Sequence, residues 1–300
     1  MSAHIARGTV FLVVLIALGT GCAPYAVAPT PSPDVPPVTP SPTAGSQAEA
    51  TPPPSPSQPT PASVGRVEHP AAGADVTLPV RLLVRVGTPG QDVNVTVAWS
   101  TGEQITHTVT ALRGIDGTGL IATVLNSTLP RFEHPETQPG SLQVHNLAGG
   151  LLAYLPIRIL APADPDTVEV DLYWVRDDQI VPQSVLLPRA SAIIEATVEA
   201  LLWGPAVNNT GGFTTRIPAP AQVLTHPGRS PAWREQPRLM RLGLVDRTAM
   251  VDFSPELTAH AGGAMETVLI REQIEATLKQ FPTVDDVVIS INGVTGVLDP

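Results

Sequence analysis

Cys22 is the residue with the most evident chemistry in this 300-residue chain, because it is the only cysteine. A single cysteine cannot form a disulfide within one chain. Cys22 directly follows Gly19-Thr20-Gly21 and stands at the end of the apolar run Val10 to Leu18. A thiol that becomes a chain terminus can be acylated, and acyl chains bury themselves in a bilayer.

Residues 1–21 have the pattern of a secretory signal peptide. One basic residue, Arg7, precedes the apolar run, and small residues come before Cys22. The run is too short for a spanning helix, which needs about 20 residues. Its small-small-Cys ending resembles a bacterial lipobox, although Gly19 stands where a large aliphatic residue is usual. The resemblance implies lipidation at Cys22 and an extracytoplasmic protein that is lipid-anchored to the cell membrane. The alternatives are an uncleaved anchor and secretion with a free thiol.

Residues 22–64 consist almost wholly of Pro, Ser, Thr and Ala, with Asp34 and Glu49 as their only charged residues. Such a segment cannot bury enough apolar surface to offset the entropy lost on ordering. Proline favours the extended polyproline II conformation, at about 3.1 Å per residue. We therefore predict a disordered, semi-rigid spacer. The alternative is a ligand for a domain that binds proline-rich peptides.

The formal net charge is −10, and only 15% of the residues are charged. The basic residues are scattered, whereas nucleic-acid binding needs clustered Lys and Arg to neutralise phosphates. This composition argues against a nucleic-acid partner and against adhesion to anionic lipid by charge alone. The chain beyond residue 64 is long enough for one large or two modest domains.

Residues 65–162, the first block, have the pattern of an all-β domain. Short runs rich in β-branched residues alternate with turn residues, which is typical of a β-sandwich. The runs cover 76–84, 93–99, 104–110, 119–124, 142–145 and 152–159. The opening Val67-Glu68-His69-Pro70 and the closing Leu155-Pro156-Ile157-Arg158-Ile159 resemble the immunoglobulin-like domain of bacterial spore-germination proteins. The resemblance implies an immunoglobulin-like β-sandwich. The next residues, 161–165, have the composition of a linker.

Residues 167–300, the second block, change from an alternating to a helical period. The pattern predicts an α+β fold in which two helices cover a small mixed sheet. The predicted elements are a strand over 168–174, a helix over 190–203, a hairpin of 240–245 and 249–253, a helix over 264–280 and a strand over 287–291.

The second block resembles the GerMN domain of sporulation and germination proteins. The matching motifs are Leu172-Tyr173, Val181-Pro182, Ala200-Leu201-Leu202-Trp203-Gly204-Pro205, Ile217-Pro218, Val251-Asp252-Phe253-Ser254-Pro255-Glu256-Leu257, and Gln273, Thr277-Leu278, Phe281 and Val284-Asp285-Asp286-Val287 before Ile291-Asn292-Gly293. The resemblance implies attachment to the outer face of the cytoplasmic membrane and a role in envelope or spore assemblies. The chain departs from the family in its single copy of the domain and in its long insert, Thr225 to Gln236.

The sequence predicts no catalytic residue, no metal site and no cofactor. It contains no zinc-binding spacing and no nucleophile elbow. His226 and His260 lie in predicted loops, and a loosely spaced metal or acid–base site built on them is the alternative. The pairs Asp177-Asp178 and Asp285-Asp286 are expected to be solvated, because adjacent side chains on a turn point apart.

The aromatic residues supply the one candidate contact residue. Trp99, Tyr154, Trp174 and Trp203 are expected in cores. Trp233 lies in the polar insert, where an exposed aromatic is a candidate partner contact.

These patterns predict a non-catalytic surface lipoprotein whose GerMN-like domain mediates protein–protein assembly. Its partners are the membrane, through the lipid anchor, and an envelope protein or further copies of itself. The alternative is a module that binds peptidoglycan or another glycan, and a third hypothesis is an undetected hydrolase.

The anchor prediction is tested by Cys22→Ser, which should release the protein from membranes or leave an unprocessed precursor. Membrane fractionation and gel mobility report both outcomes. A variant that fractionates and migrates like the wild type would show that Cys22 is not lipidated.

Overall fold

The computed structural model describes residues 65–126, 136–260 and 262–299. The predicted signal peptide, Cys22 and the spacer lie outside these residues. The described residues belong to one compact unit, Pro59–Pro300. None of the described helices is long and apolar enough to cross a membrane.

The regular elements among the described residues of the first block, 65–126 and 136–162, are all strands. They are β1 (Gly65–His69), β2 (Asp75–Val76), β3 (Val80–Val86), β4 (Asp92–Trp99), β5 (Gln104–Thr110), β6 (Leu112–Arg113), β7 (Gly119–Leu125), β8 (Gln138–Asn146) and β9 (Leu151–Ile159). One sheet has the order β1-β3-β7-β6, the other β2-β9-β8-β4-β5, and both contribute to one hydrophobic core. The all-β prediction is confirmed, and the immunoglobulin-like assignment stays a prediction.

Strand β3 illustrates how the sequence places side chains on two faces. Val80, Leu82, Val84 and Val86 are buried in the core, because successive side chains of a strand point to opposite faces. Arg81, Leu83 and Arg85 consequently lie on the outer face of β3. This outer face is turned toward the second block, where it contributes to the site described below.

The second block contains a hairpin, a mixed sheet and helices. Its elements are β10 (Thr167–Arg176), β11 (Gln179–Pro188), α1 (Ile193–Leu202), α2 (Pro220–Thr225), β12 (Leu239–Val245), β13 (Thr248–Phe253), a 3-10 helix (Pro255–Thr258), α3 (Ala264–Lys279), β14 (Asp286–Ile291) and β15 (Val294–Thr295). The sheet order is β12-β13-β14-β15, with β13 and β14 parallel and the other pairs antiparallel. The mixed sheet and both predicted helices are confirmed. The sequence patterns had not predicted β11, α2, β15 or the 3-10 helix.

The core of the second block lies between the helices and one face of the mixed sheet. Ala249, Val251 and Phe253 of β13 are fully buried there. The helices contribute buried side chains at helical spacing: Val198 and Leu201 from α1, and Ile270, Ile274 and Leu278 from α3.

Helix α3 also presents polar side chains to strand β10. Gln273, Thr277 and Gln280 occupy positions i, i+4 and i+7, which lie on one helix face. The Gln280 amide bonds both backbone groups of Asp171, at 2.8 and 2.7 Å. Gln273 donates to the Tyr173 carbonyl at 3.0 Å, and the Thr277 hydroxyl accepts from the Tyr173 N–H at 3.3 Å. These buried polar residues therefore take the place of a neighbouring strand.

The segment between the blocks is packed. Ala161 is 3% exposed, and its N–H donates to the Thr137 hydroxyl at 3.0 Å. The Thr137 hydroxyl in turn donates to the carboxylate of Asp164. A linker-like composition thus encodes a short, hydrogen-bonded connection.

Leu201→Ala and Ile274→Ala should each lower the free energy of unfolding by about 2–5 kcal/mol, since truncating a buried aliphatic side chain loses burial and leaves a cavity. Both residues are 0% exposed. Urea denaturation of fragment 59–300 measures the loss. Leu147→Ala is the matched control, because Leu147 is 62% exposed and should tolerate truncation. Equal losses for the control and the two core variants would contradict the assignment.

Candidate interaction site

The structure buries Trp233, so the expectation of an exposed contact residue is wrong. The side chain is 9% exposed and clusters with Val223 and Ala259. Its ring stacks on His226, with centroids 5.6 Å apart. The physical reason is helix α2, whose Val223 gives the polar insert an apolar partner close by. In this position the Trp233 ring packs within the insert, and only a small part of its surface remains accessible.

The neighbouring residue Glu235 connects the insert to the first block. Its carboxylate receives two hydrogen bonds from the Arg85 guanidinium, at 2.7 and 2.6 Å, and one from the Ile115 N–H at 3.0 Å. The side chains of Arg85 and Glu235 are only 17% and 8% exposed. Chiefly through this hydrogen-bonded pairing, Glu235 raises the pKa of Arg85. The long insert therefore holds the second block against the outer face of β3.

The face of the mixed sheet that is turned away from the helices carries exposed apolar side chains. We define the open sheet face as Gly243, Val245, Thr248, Met250 and Val288. The register pairs Gly243 with Met250, Val245 with Thr248, and Met250 with Val288. Val245 is 60% exposed and Met250 42% exposed. A Cβ atom added to Gly243 would meet no atom of the described residues within 4 Å, so these residues leave the space above it open.

The β10–β11 and β12–β13 hairpins of the second block differ in how the backbone groups at their outer edges are protected. On β10, the outward backbone groups of Asp171 and Tyr173 bond to α3, and Val175 exchanges two 2.8 Å bonds with Thr214. Its partner β11 contains Pro182 and Pro188, and proline is a common protection of strand edges. The outer edges of this hairpin are therefore occupied or blunted.

Strand β12 is an edge strand of the mixed sheet without comparable cover in the described part of the chain. Asp246 and Arg247, with φ of 46° and 63°, form a two-residue turn of the primed type. The flanking pair Val245–Thr248 is hydrogen-bonded in such a hairpin, so the alternation directs the N–H groups of Leu242 and Leu244 outward. Applied to β10, the same rule places Asp171, Tyr173 and Val175 outward, as their bonds require.

The remaining candidate residues form no chemical constellation. Across 65–126, 136–260 and 262–299, no group of three His, Cys, Asp or Glu residues could hold a metal ion. Asp178 pairs with Arg216 at 2.9 Å and Asp285 with Arg247 at 2.7 Å, both near the surface. Chiefly through that hydrogen bond, Arg247 lowers the pKa of Asp285.

Two of the four aromatic residues expected in cores are fully buried: Trp99 and Trp174 are 4% and 1% exposed. Trp203 is half-buried. Tyr154 is 57% exposed, so its placement in the core was wrong. It lies on an outward position of β9, between the buried residues Ala153 and Leu155.

Residues 162–296 match the family model described as "Germane: Sporulation and spore germination". On the basis of this match, we refer to residues 162–296 as the GerM-type domain. Among solved structures, the segment is similar to the first GerMN domain of the sporulation protein GerM from Bacillus subtilis, with 21% identity and a TM-score of 0.33 over 43% of this chain and 85% of that chain. The tandem GerMN domains of the same protein give 22% identity and a TM-score of 0.33, over 43% of this chain and 40% of that chain. No curated protein matches the chain.

The GerM-type domain and the first block enclose a cleft, which we call the interdomain cleft. The rings of His69 from β1 and Trp203 after α1 lie at its middle, with centroids 5.2 Å apart. Cavities of about 380 and about 270 Å³ lie on either side, and both are lined by His69, Glu199 and Trp203. Arg81 lines the larger cavity and Leu83 the smaller one. No sequence motif predicted this cleft, because the residues that line it come from segments far apart in the sequence.

Replacing Arg85 should lower the free energy of unfolding more than replacing Glu235, its partner in the ion pair. We expect Glu235→Gln to lower the free energy of unfolding by about 1–2 kcal/mol, because Arg85 keeps Glu68 and Asp116 within 3.5 Å. Arg85→Gln should cost about 3 kcal/mol or more, because it leaves a buried carboxylate without a cation. Urea denaturation of fragment 59–300 measures both.

Arg158→Gln is the matched control for this pair. Arg158 makes a bidentate bond to Asp75, at 2.5 and 2.6 Å, but both side chains are exposed. Loss of an exposed pair should change stability little. If Arg85→Gln were as mild as this control, the insert would not depend on the pair.

Proposed function

We propose that the chain is a non-catalytic, lipid-anchored protein of the cell envelope whose GerM-type domain mediates protein–protein assembly. The observation that carries the proposal is the free edge of β12 beside the apolar open sheet face. The anchored, extracytoplasmic location is supported by the signal-like sequence before Cys22 and by the spacer that follows it. The non-catalytic role is supported by the matching family model, whose description names sporulation and spore germination and no enzymatic reaction.

The edge of β12 supports assembly by strand addition. A strand at a sheet edge offers unpaired N–H and C=O groups to another chain, and proteins usually protect such edges. This domain protects β10 with side chains from α3, and β11 contains prolines. On β12, in contrast, Met240 and Leu244 are 56% and 45% exposed, and the strand contains no proline.

The open sheet face supports the proposal that a partner bound at the β12 edge also contacts the adjoining face of the sheet. Met250 and Val245 present apolar surface next to Gly243. A glycine inside a strand often marks a place where another backbone approaches closely. Gly243 has no positive φ and no crowding neighbour to explain it within the chain. Surface of this kind fits a second copy of the chain or another envelope protein.

The first block completes the proposal as an immunoglobulin-like module. Its two sheets share a core, and the Arg85–Glu235 pair holds the GerM-type domain against it. In this arrangement the first block carries the assembling domain at the end of the spacer.

Sedimentation of fragment 59–300 at increasing concentration tests self-assembly. We expect association that is abolished by Leu244→Pro, which removes an outward N–H without removing a ladder bond. Met250→Glu should weaken association by placing a charge on the open sheet face. Met265→Glu is the control, because Met265 is 68% exposed on the helix layer.

Affinity capture of cross-linked envelope proteins by the tagged chain tests a different partner with the same variants. A partner lost with Met250→Glu and kept with Met265→Glu would support the proposal. A monomeric protein that captures no protein but binds purified cell wall would contradict it and favour the glycan-binding alternative.

A further inference from the structure

We propose that the interdomain cleft binds a short peptide that ends in a free carboxylate, with Arg81 as its cationic anchor. The cleft is separate from the open sheet face, so this site does not depend on the assembly proposed above. The inference rests on a guanidinium that forms no ion pair with a described carboxylate, apolar walls and a ring pair between two cavities.

Arg81 is an incompletely paired cation in a partly buried place. Its Nε atom is buried and has no hydrogen-bond partner among the described residues. No described carboxylate forms an ion pair with it, although Glu199 lines the same cavity. Burial lowers the pKa of Arg81 to about 10, while Glu199 raises it, so the guanidinium still carries its charge at neutral pH. The Nη groups of Arg81 are not among the buried unpaired atoms, so they remain accessible from the cavity, where a bound carboxylate can accept two parallel bonds from them.

The other acidic and polar groups near Arg81 are already engaged. Asp75 bonds Arg158 at 2.5 and 2.6 Å. The hydroxyl of Thr77 donates to the Leu186 carbonyl at 2.7 Å. Asp75 is therefore not available to neutralise Arg81, and the Thr77 hydroxyl carries no charge with which to do so. The outer face of β3 thus carries one arginine, Arg85, that is paired across the interface, and a second, Arg81, that is not.

The walls of the cleft select the rest of the ligand. The larger cavity is lined largely by small apolar and proline side chains: Pro70, Ala71, Pro79, Pro188, Ala196 and Ala200. The His69–Trp203 ring pair separates it from the smaller cavity, where Leu83 and Leu202 add apolar surface. Sites of this type, apolar with few convergent polar groups, favour apolar side chains beside one oriented charge.

A peptide fits this chemistry better than a sugar. A glycan needs hydrogen-bonding groups for many hydroxyls, and the cleft offers few that are free. A peptide terminus combines an apolar side chain with a carboxylate for Arg81.

Calorimetric titration of the full-length chain in detergent micelles tests the proposal. The probes are N-acetylated dipeptides ending in alanine, leucine or phenylalanine, each as the free acid and as the C-terminal amide. We expect at least one acid to bind about tenfold more tightly than its amide. Arg81→Gln should remove this preference, whereas Arg113→Gln, at an exposed position of β6, should keep it. Glu199→Gln should strengthen binding of the acid, because it removes the charge that partly compensates Arg81.

Several outcomes would overturn the proposal. These are no binding of any acid, equal binding of acid and amide by the wild type, and a preference that survives Arg81→Gln. Displacement of the dipeptide by an equal concentration of inorganic phosphate would identify a simple anion site instead. If Arg81→Gln does not fold, Arg81→Lys and Glu199→Gln decide the matter, since weaker and stronger binding of the acid are expected, respectively.

Discussion

The ion pair between Arg85 and Glu235 is the constraint on which the arrangement of the two blocks depends. Burying two charges costs several kcal/mol per ion, and only good geometry offsets this cost. Here the carboxylate receives two guanidinium bonds of 2.6–2.7 Å and a third bond from Ile115. The pair is well satisfied only when the insert lies against β3. It therefore specifies one relative position, which apolar contact alone would leave less defined.

Fixing that position gives the outer face of β3 its distinct roles. Side chains two residues apart on a strand share a face, so Arg81, Leu83 and Arg85 form one row. Arg85 pairs with Glu235 of the insert, Leu83 lines the smaller cavity, and Arg81 lines the larger one. The cleft is consequently a product of the pairing. Trp233 supports the same arrangement, because its burial against Val223 holds the insert that carries Glu235.

Periodicity predicted most of the elements, and tertiary context explains the rest. Helix α3 was expected over 264–280 and spans Ala264–Lys279; the apolar stripe that predicted it, Ile270, Ile274 and Leu278, is buried. Gln273 and Thr277 were recognised only as motif residues of the family resemblance; their structural role was not predicted, since it depends on β10, about 100 residues away. The exposure of Trp233 was predicted wrongly, because the residues beside it in the sequence are largely polar while it packs in space against Val223 and Ala259. The pairing of Arg85 with Glu235 spans 150 positions, and no local pattern encodes it.

Helix α1 borders both the cleft and the mixed sheet. Its packing determines whether a ligand bound in the cleft can change the conformation of the sheet. Glu199 and Trp203 line the cleft, while Val198 and Leu201 are 0% exposed in the core cluster that also contains Val251 of β13. Close-packed cores resist small displacements, and a ligand shifts an equilibrium only when two conformations differ in affinity for it. Moving α1 toward the cleft would open the core that it shares with β13. We therefore expect a ligand in the cleft to leave the open sheet face unchanged, so that the two surfaces act independently.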